Sequence, residues 1–241
     1  MLSIIIPTFQ EEKTIASMLK QLRAQLNCVP YETIVSDNQS TDNTRALAVE
    51  NGAKIIFSPP GPRVTIATVR NLGAAQAQYP YLVFLDSGVF VPKPNQFFLT
   101  ALQCFQNNPK LVGLTGKVKI LPEDKKFGDD FFCWLVDSWY QLNNNLFGVG
   151  MAYGKFQMVR AEAFKKIGGY NEQLVAGEDF DLFIRLSKIG STYLQPSLKI
   201  FHQGRRMHQL GWLRLLSLWI INGLWVFFSK KALSKDWEAI R

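Results

Sequence analysis

What this 241-residue sequence lacks narrows its reading quickly. Its three cysteines, Cys28, Cys104 and Cys133, are odd in number and show no metal-ligand spacing. That excludes a disulfide framework or cysteine zinc site and leaves reduced thiols in a cytosolic compartment as the simple reading. The two histidines, His202 and His208, are too few for a histidine-rich zinc centre. No G-x-G-x-x-G follows the first strand candidate, no Walker-type phosphate loop occurs anywhere, and there is no G-x-S-x-G elbow. Dinucleotide, P-loop and serine-hydrolase readings therefore lack their working parts. Internal repeats and low-complexity tracts are absent as well, and Leu2–Ile6 already reads as a strand, so a leader ahead of it is not expected.

The composition is 47% hydrophobic and 19% charged, which suits a globular chain and excludes disorder. The net charge of +8 is unevenly placed. From Lys199 to Arg241 there are 8 Lys/Arg against Asp236 and Glu238, a local +6 that leaves +2 for the first 198 residues. A basic tail rich in Trp and Leu fits an anionic membrane surface, whereas nothing resembles the spread basic stripe of a nucleic-acid binder. Leu215–Phe228 is 14 residues without a charge, flanked by Arg214 and by Lys230 and Lys231. As a helix it is ~21 Å long, short of the ~20 residues that span a bilayer. Trp212, Trp219 and Trp225 favour membrane association, in-plane or short-spanning, over a core or interface helix.

Along the rest of the chain, short apolar runs alternate with helix-period segments. Strands are predicted at Leu2–Ile6, Thr33–Val35, Lys54–Phe57 and Tyr81–Leu85, with helices around 15–26, 41–51 and 64–77 between them. Fully apolar strands alternating with helices predict a mostly parallel, doubly wound sheet. Further on, helices near Asn95–Phe105, Phe127–Phe147, Glu162–Ile167 and Glu178–Ile189 and strands over Leu111–Ile120 and Leu198–Phe201 are expected. Asp181 and Arg185 have the spacing of an i,i+4 pair.

Ligands of such sheets bind beyond the carboxyl ends of the strands. There the sequence has Pro7-Thr8-Phe9-Gln10-Glu11-Glu12, then Ser36-Asp37-Asn38-Gln39-Ser40-Thr41-Asp42, then Asp86-Ser87-Gly88. Acids and small polar groups converging on one edge suit a ribose, a base edge and a diphosphate. Singly, each has a plainer reading: Asp37 as a turn former, Glu12 and Asp42 as acids at helix starts. Asp86 is harder to dismiss, because a carboxylate ending an apolar strand is costly without a partner or ligand.

This ordered series, continued through Gly168-Gly169-Tyr170-Asn171-Glu172 and Gly177-Glu178-Asp179-Phe180-Asp181, resembles the family 2 glycosyltransferases of GT-A fold over most of residues 1–200. The resemblance implies a nucleotide-sugar donor. By it, Pro7, Thr8 and Glu11 line the nucleoside pocket, Asp37 accepts from the base ring, Arg70 faces the diphosphate, and Asp86 is the first acid of the metal motif. Asp179, beside Glu178, matches the catalytic base. An inverting displacement needs such a base, and a neighbouring carboxylate tunes it; the alternative for Asp179 is a helix-start acid.

Two departures stand out. Gly88 occupies the usual place of a second acid, so a Mg²⁺ or Mn²⁺ bridge would rest on Asp86 plus His202, with Arg205 and Arg206 neutralising the diphosphate directly; weak metal dependence is expected. Gln203-Gly204-Arg205-Arg206-Met207 has Met where polymer-forming members carry Trp. The expectation is therefore single sugar transfer to a sugar, polysaccharide or lipid-linked acceptor near the cytoplasmic face of a membrane. The domain expectation is a GT-A-like unit over residues 1–208 and a basic, hydrophobic membrane-associating helix over 209–241. An inactive nucleotide-sugar-binding scaffold, suggested by Gly88, is the alternative. A nucleotidyltransferase fits less, because it wants a basic glycine-rich loop where Pro7–Glu12 is acidic.

Overall fold

A computed structural model describes residues 1–62 and 64–229. Seven strands form one sheet in the order β3-β2-β1-β4-β6-β5-β7. β1 (Leu2–Thr8), β2 (Tyr31–Asp37), β3 (Lys54–Phe57) and β4 (Tyr81–Leu85) are parallel neighbours, separated in sequence by α1 (Ile15–Gln25), α2 (Thr44–Glu50) and α3 (Ile66–Ala74). After α4 (Pro94–Asn107), β5 (Leu111–Ile120) pairs in parallel with the last strand, β7 (Ser191–His202). The sheet is mostly parallel and flanked by helices, as the alternation predicts.

β1 shows why its apolar run is continuous. Ile4 and Ile6 point into one core layer with Ile15, Leu19 and Phe98, while Ile5 points into the other with Ile34, Phe84 and Phe183. Both faces are covered, so no position can be polar without a partner. Gly73 lets α3 lie against β1 and β2, because a Cβ there would sit 2.4 Å from Ser36 Oγ and 2.5 Å from an Ile5 methyl.

Three elements differ from expectation. β6 (Phe156–Arg160) has no counterpart in the sequence reading, and it lies antiparallel between β4 and β5. Its second residue, Gln157, breaks the apolar run, yet it is fully buried and accepts the Tyr170 hydroxyl proton. β7 begins well before Leu198, because Pro196 falls in an irregularity where the register jumps from Gly116↔Gln195 to Lys117↔Lys199. Proline is tolerated at such a bulge, where no ladder donor is needed. α8 (Arg205–Leu210) is also new.

α5 (Asp129–Leu142) runs on into a π-helical turn at Asn143–Phe147, within the helical span expected. α6 (Ala161–Lys166) and α7 (Glu178–Ser187) follow, and Asp181 pairs with Arg185 at 2.7 Å. α9 (Trp212–Ser229) docks on α5: Trp212 Nε1 donates to Asp129 Oδ1 at 2.7 Å, and its ring stacks on Phe132. No helix among the described residues is long and apolar enough to cross a membrane. Lys230 and Lys231, expected to flank this helix, lie outside the described residues.

Candidate active site at the carboxyl edge of the sheet

The loops after β1 and β2 are laced together. Gln10, held at φ 57°, donates its amide to Ser40 Oγ at 2.8 Å and its side chain to Thr41 Oγ1 at 2.8 Å. The Glu11 amide donates to Thr44 Oγ1, and Glu12 Oε2 accepts from the Asn43 amide. Glu11 itself accepts from Thr14 Oγ1 at 2.8 Å. Pro7 and Thr8 end β1, and both are buried. Asp37 is fully buried and accepts from the Ser40 amide at 2.9 Å, Arg45 Nε at 2.6 Å and Thr8 Oγ1 at 3.2 Å. Asp37 is thus engaged by internal donors, and these bonds shape the loop.

One strand further along, the edge is built around a buried cation. Arg70, on α3, is 1% exposed; its Nη1 donates to Glu178 Oε1 at 2.7 Å and its Nη2 to Asp86 Oδ1 at 2.9 Å. Nη2 also donates to the Gly154 carbonyl at 3.0 Å. The guanidinium thereby joins the two acids. The neighbouring carboxylates hold it firmly protonated against the cost of burial. Asp86 Oδ2 meets a second cation, Lys155 Nζ, at 3.2 Å. Despite burial, Lys155 and Arg70 keep Asp86 below the usual carboxylate range. The partner that Asp86 requires is therefore a pair of cations.

Glu178 and Asp179 open α7, following Gly177 at φ 77°. Burial, reinforced by the Asp179 charge, pushes Glu178 up to about 7 in spite of Arg70. Burial also raises Asp179, which is half-buried and accepts from the Phe180 amide at 2.8 Å. Gly154 is the wall between the groups: a Cβ there would come within 3.2 Å of Arg70 Nη2 and 3.3 Å of Asp179 Oδ2.

His202 ends β7 and is buried; its Nδ1 accepts from the Gly204 amide at 3.0 Å, and its Nε2 has no hydrogen-bond partner. Burial, with the Lys155 charge, lowers it to about 3. Arg205 and Arg206 form the first turn of α8, half-buried, with Arg205 near enough for its charge to act on the His202 ring.

These residues do not compose a metal site as they stand. Both Asp86 oxygens face cations, Nδ1 of His202 is taken, and no group of three or more His, Cys, Asp or Glu among the described residues could hold an ion. Lys155 and Gly154 were missed in the sequence. Lys155 acquires meaning only through the antiparallel pairing Leu85↔Phe156, which sets it beside Asp86.

A mostly parallel sheet with acids at its carboxyl edge and one antiparallel strand is the architecture of the GT-A glycosyltransferases, and solved structures agree. The Pyrobaculum calidifontis mannosyltransferase PcManGT, in complex with GDP-Man and Mn²⁺, superposes with a TM-score of 0.65 at 15% identity, covering 84% of this chain and 56% of that one. Staphylococcus aureus TarS with UDP-GlcNAc gives 0.64 at 18% identity, covering 83% and 57%. Residues 3–168 match the family profile described as glycosyl transferase family 2, and the chain belongs to that family. Among curated relatives, the succinoglycan biosynthesis protein ExoA of Rhizobium meliloti is 25% identical over 199 residues, 78% of this chain. The glucosyl-3-phosphoglycerate synthase of Mycolicibacterium smegmatis is 31% identical over 99 residues, 38% of this chain. This chain spans 58% and 32% of their respective lengths.

Proposed function

We propose that the chain is an inverting glycosyltransferase that moves one sugar from a nucleotide-diphosphate sugar to a hydroxyl acceptor. The convergence of Asp86, Glu178 and Asp179 around the buried Arg70 carries this reading. Of the three acids, Asp86 and Glu178 are tied to cations, and Asp179 is the base. Its raised pKa suits a group that must accept a proton near neutral pH. The acceptor oxygen attacks the anomeric carbon on the face opposite the leaving group while Asp179 takes its proton. The bond to the diphosphate breaks and leaves its electron pair there, and the Arg205 and Arg206 charges offset it. The laced loops of Pro7, Thr8, Glu11 and Asp37 form the nucleoside wall. Donor chemistry is supported by the GDP-Man and UDP-GlcNAc bound to the structural neighbours.

The acceptor is lipid-linked, and the protein works at the cytoplasmic face of a membrane. Support comes from α5 as well as the basic tail. Phe127, Phe131, Trp134, Trp139, Leu142 and Leu146 recur at three- to five-residue spacing along α5 and its extensions, all exposed, with both Trp more than half exposed. Such a stripe, continued by exposed Leu213, Ile220 and Ile221 on α9, exceeds the scattered apolar exposure normal for a soluble surface.

Asp179→Asn is expected to lower transfer by ~10²–10⁴-fold, while leaving donor-dependent stabilisation in a thermal-shift panel of nucleotide-sugars intact. Transfer that survives the substitution sinks the base assignment. Donor stabilisation without any transfer in the wild type would favour the inactive scaffold. Flotation with phosphatidylglycerol vesicles is expected to capture the wild type and lose Trp134→Ser/Trp139→Ser; equal capture of both refutes the role of α5.

A further inference from the structure

The site has lost an acid and holds a lysine, and the two departures stand side by side. Gly88 sits at φ 75°, a left-handed conformation that L side chains rarely adopt, so the backbone itself disfavours a second acid there. Two residues back, Asp86 holds Lys155 at 3.2 Å. The sheet fixes that lysine: the Asp86 amide donates to the Lys155 carbonyl at 3.3 Å, continuing the β4–β6 pairing. Of the two cations on Asp86, Arg70 is 1% exposed and Lys155 40%, so Lys155 is the one a ligand can reach.

His202 adds an independent observation. Lys155 and Asp86 lie near enough for their charges to act on its ring. Because Nδ1 accepts the Gly204 amide proton, the ring's own proton is on Nε2. That N–H is buried without a partner. It offers an anion a donor, whereas a metal ion needs the lone pair that this tautomer does not present.

We propose that Lys155 Nζ, aimed by Asp86 and assisted by His202 Nε2–H, binds the donor's diphosphate in the place where a divalent cation would otherwise sit. The inference rests on the donor reading above. In the transfer step the proton goes from the acceptor hydroxyl to Asp179, and the electron pair of the anomeric C–O bond goes to the departing diphosphate. Lys155 meets that charge as it develops, so the ammonium supplies electrostatically what a metal bridge supplies elsewhere. A charge-assisted contact of this kind is worth about one order of magnitude or more in affinity.

Calorimetric titration of the full chain with UDP and GDP, in EDTA and in Mn²⁺, tests this on wild type, Lys155→Met and Lys155→Arg. The wild type is expected to bind one of the two in EDTA within about threefold of its affinity in Mn²⁺. Lys155→Met is expected to weaken that binding by about tenfold or more, with nucleoside binding and melting temperature unchanged, and Lys155→Arg to retain most of it. Binding that requires Mn²⁺, or that is the same in Lys155→Met, overturns the lysine role and leaves the donor reading standing. If neither diphosphate binds under any condition, both fall together.

Discussion

The two acidic clusters at the carboxyl edge are built on opposite plans. Around Asp37, one carboxylate is surrounded by donors from its own and the neighbouring loop, and the Gln10 and Glu12 bonds close the remainder. Around Arg70, three acids and two cations cluster, with one carboxylate raised to about 7 and Arg70 Nε and one imidazole N–H unpartnered. The first is a mould shaped by its own internal bonds. The second is held in tension: its charges are mutually dependent, and two of its donors, Arg70 Nε and the His202 ring N–H, are unmatched. Satisfied networks rigidify a site, whereas perturbed titrations cluster where chemistry is done.

The comparison breaks most violently at Arg70. Arg70→Met leaves Asp86 and Glu178 without their buried counter-ion and is expected to cost about 3–5 kcal/mol, read as the shift in a urea unfolding midpoint. A smaller loss is expected from Asp37→Ala, about 1.5–3 kcal/mol, since it strips the Ser40 amide, Thr8 and Arg45 of one acceptor. Equal losses at the two positions would erase the distinction between mould and charge cluster.

pH sharpens it further. Glu178 is raised in the folded chain, so the folded state retains a proton that the unfolded chain has released above the ordinary carboxylate range. Stability is therefore expected to fall as pH rises from about 4.5 to about 7, and Glu178→Gln to flatten that slope. An unchanged slope in thermal melts across this window would move the raised group elsewhere. The smallest effect belongs to Trp134→Ser, which removes an exposed ring; stability is expected to change by no more than about 0.5 kcal/mol.

Much of the first cluster was legible in the sequence, and much of the second was not. Lys54–Phe57, Tyr81–Leu85 and Leu111–Ile120 read as strands from their apolar runs and fold as such. The positions of Asp37 and Asp86 follow from where β2 and β4 end, and that of Asp179 from where α7 begins. What the sequence concealed is contact across non-neighbouring strands. Gln157 disguised β6, Pro196 halved β7, and nothing near Lys155 announces Asp86, which is 69 residues away. Likewise, a charged residue's position is readable where its engagement is not: the internal partners of Asp37 and Arg70 appear only in the fold. The outward face of α5 was hidden for another reason, since an aromatic-rich helix with apolar residues on both sides gives no single period.

β6 has a kinetic consequence. Strands β1 to β4 lie within the first 85 residues and can pair early, but β5 joins them only through β6, which arrives 71 positions after its partner Leu85. Long loops close slowly, and this one delivers Gly154 and Lys155 to Arg70 and Asp86 in the same event. The two halves of the sheet are thus spliced, and the charge cluster assembled, by the insertion of one short antiparallel strand. Refolding and recovery of nucleotide binding are therefore expected to share a single slow phase in stopped-flow refolding, and a chain halted before that splice to have its mould and no cluster.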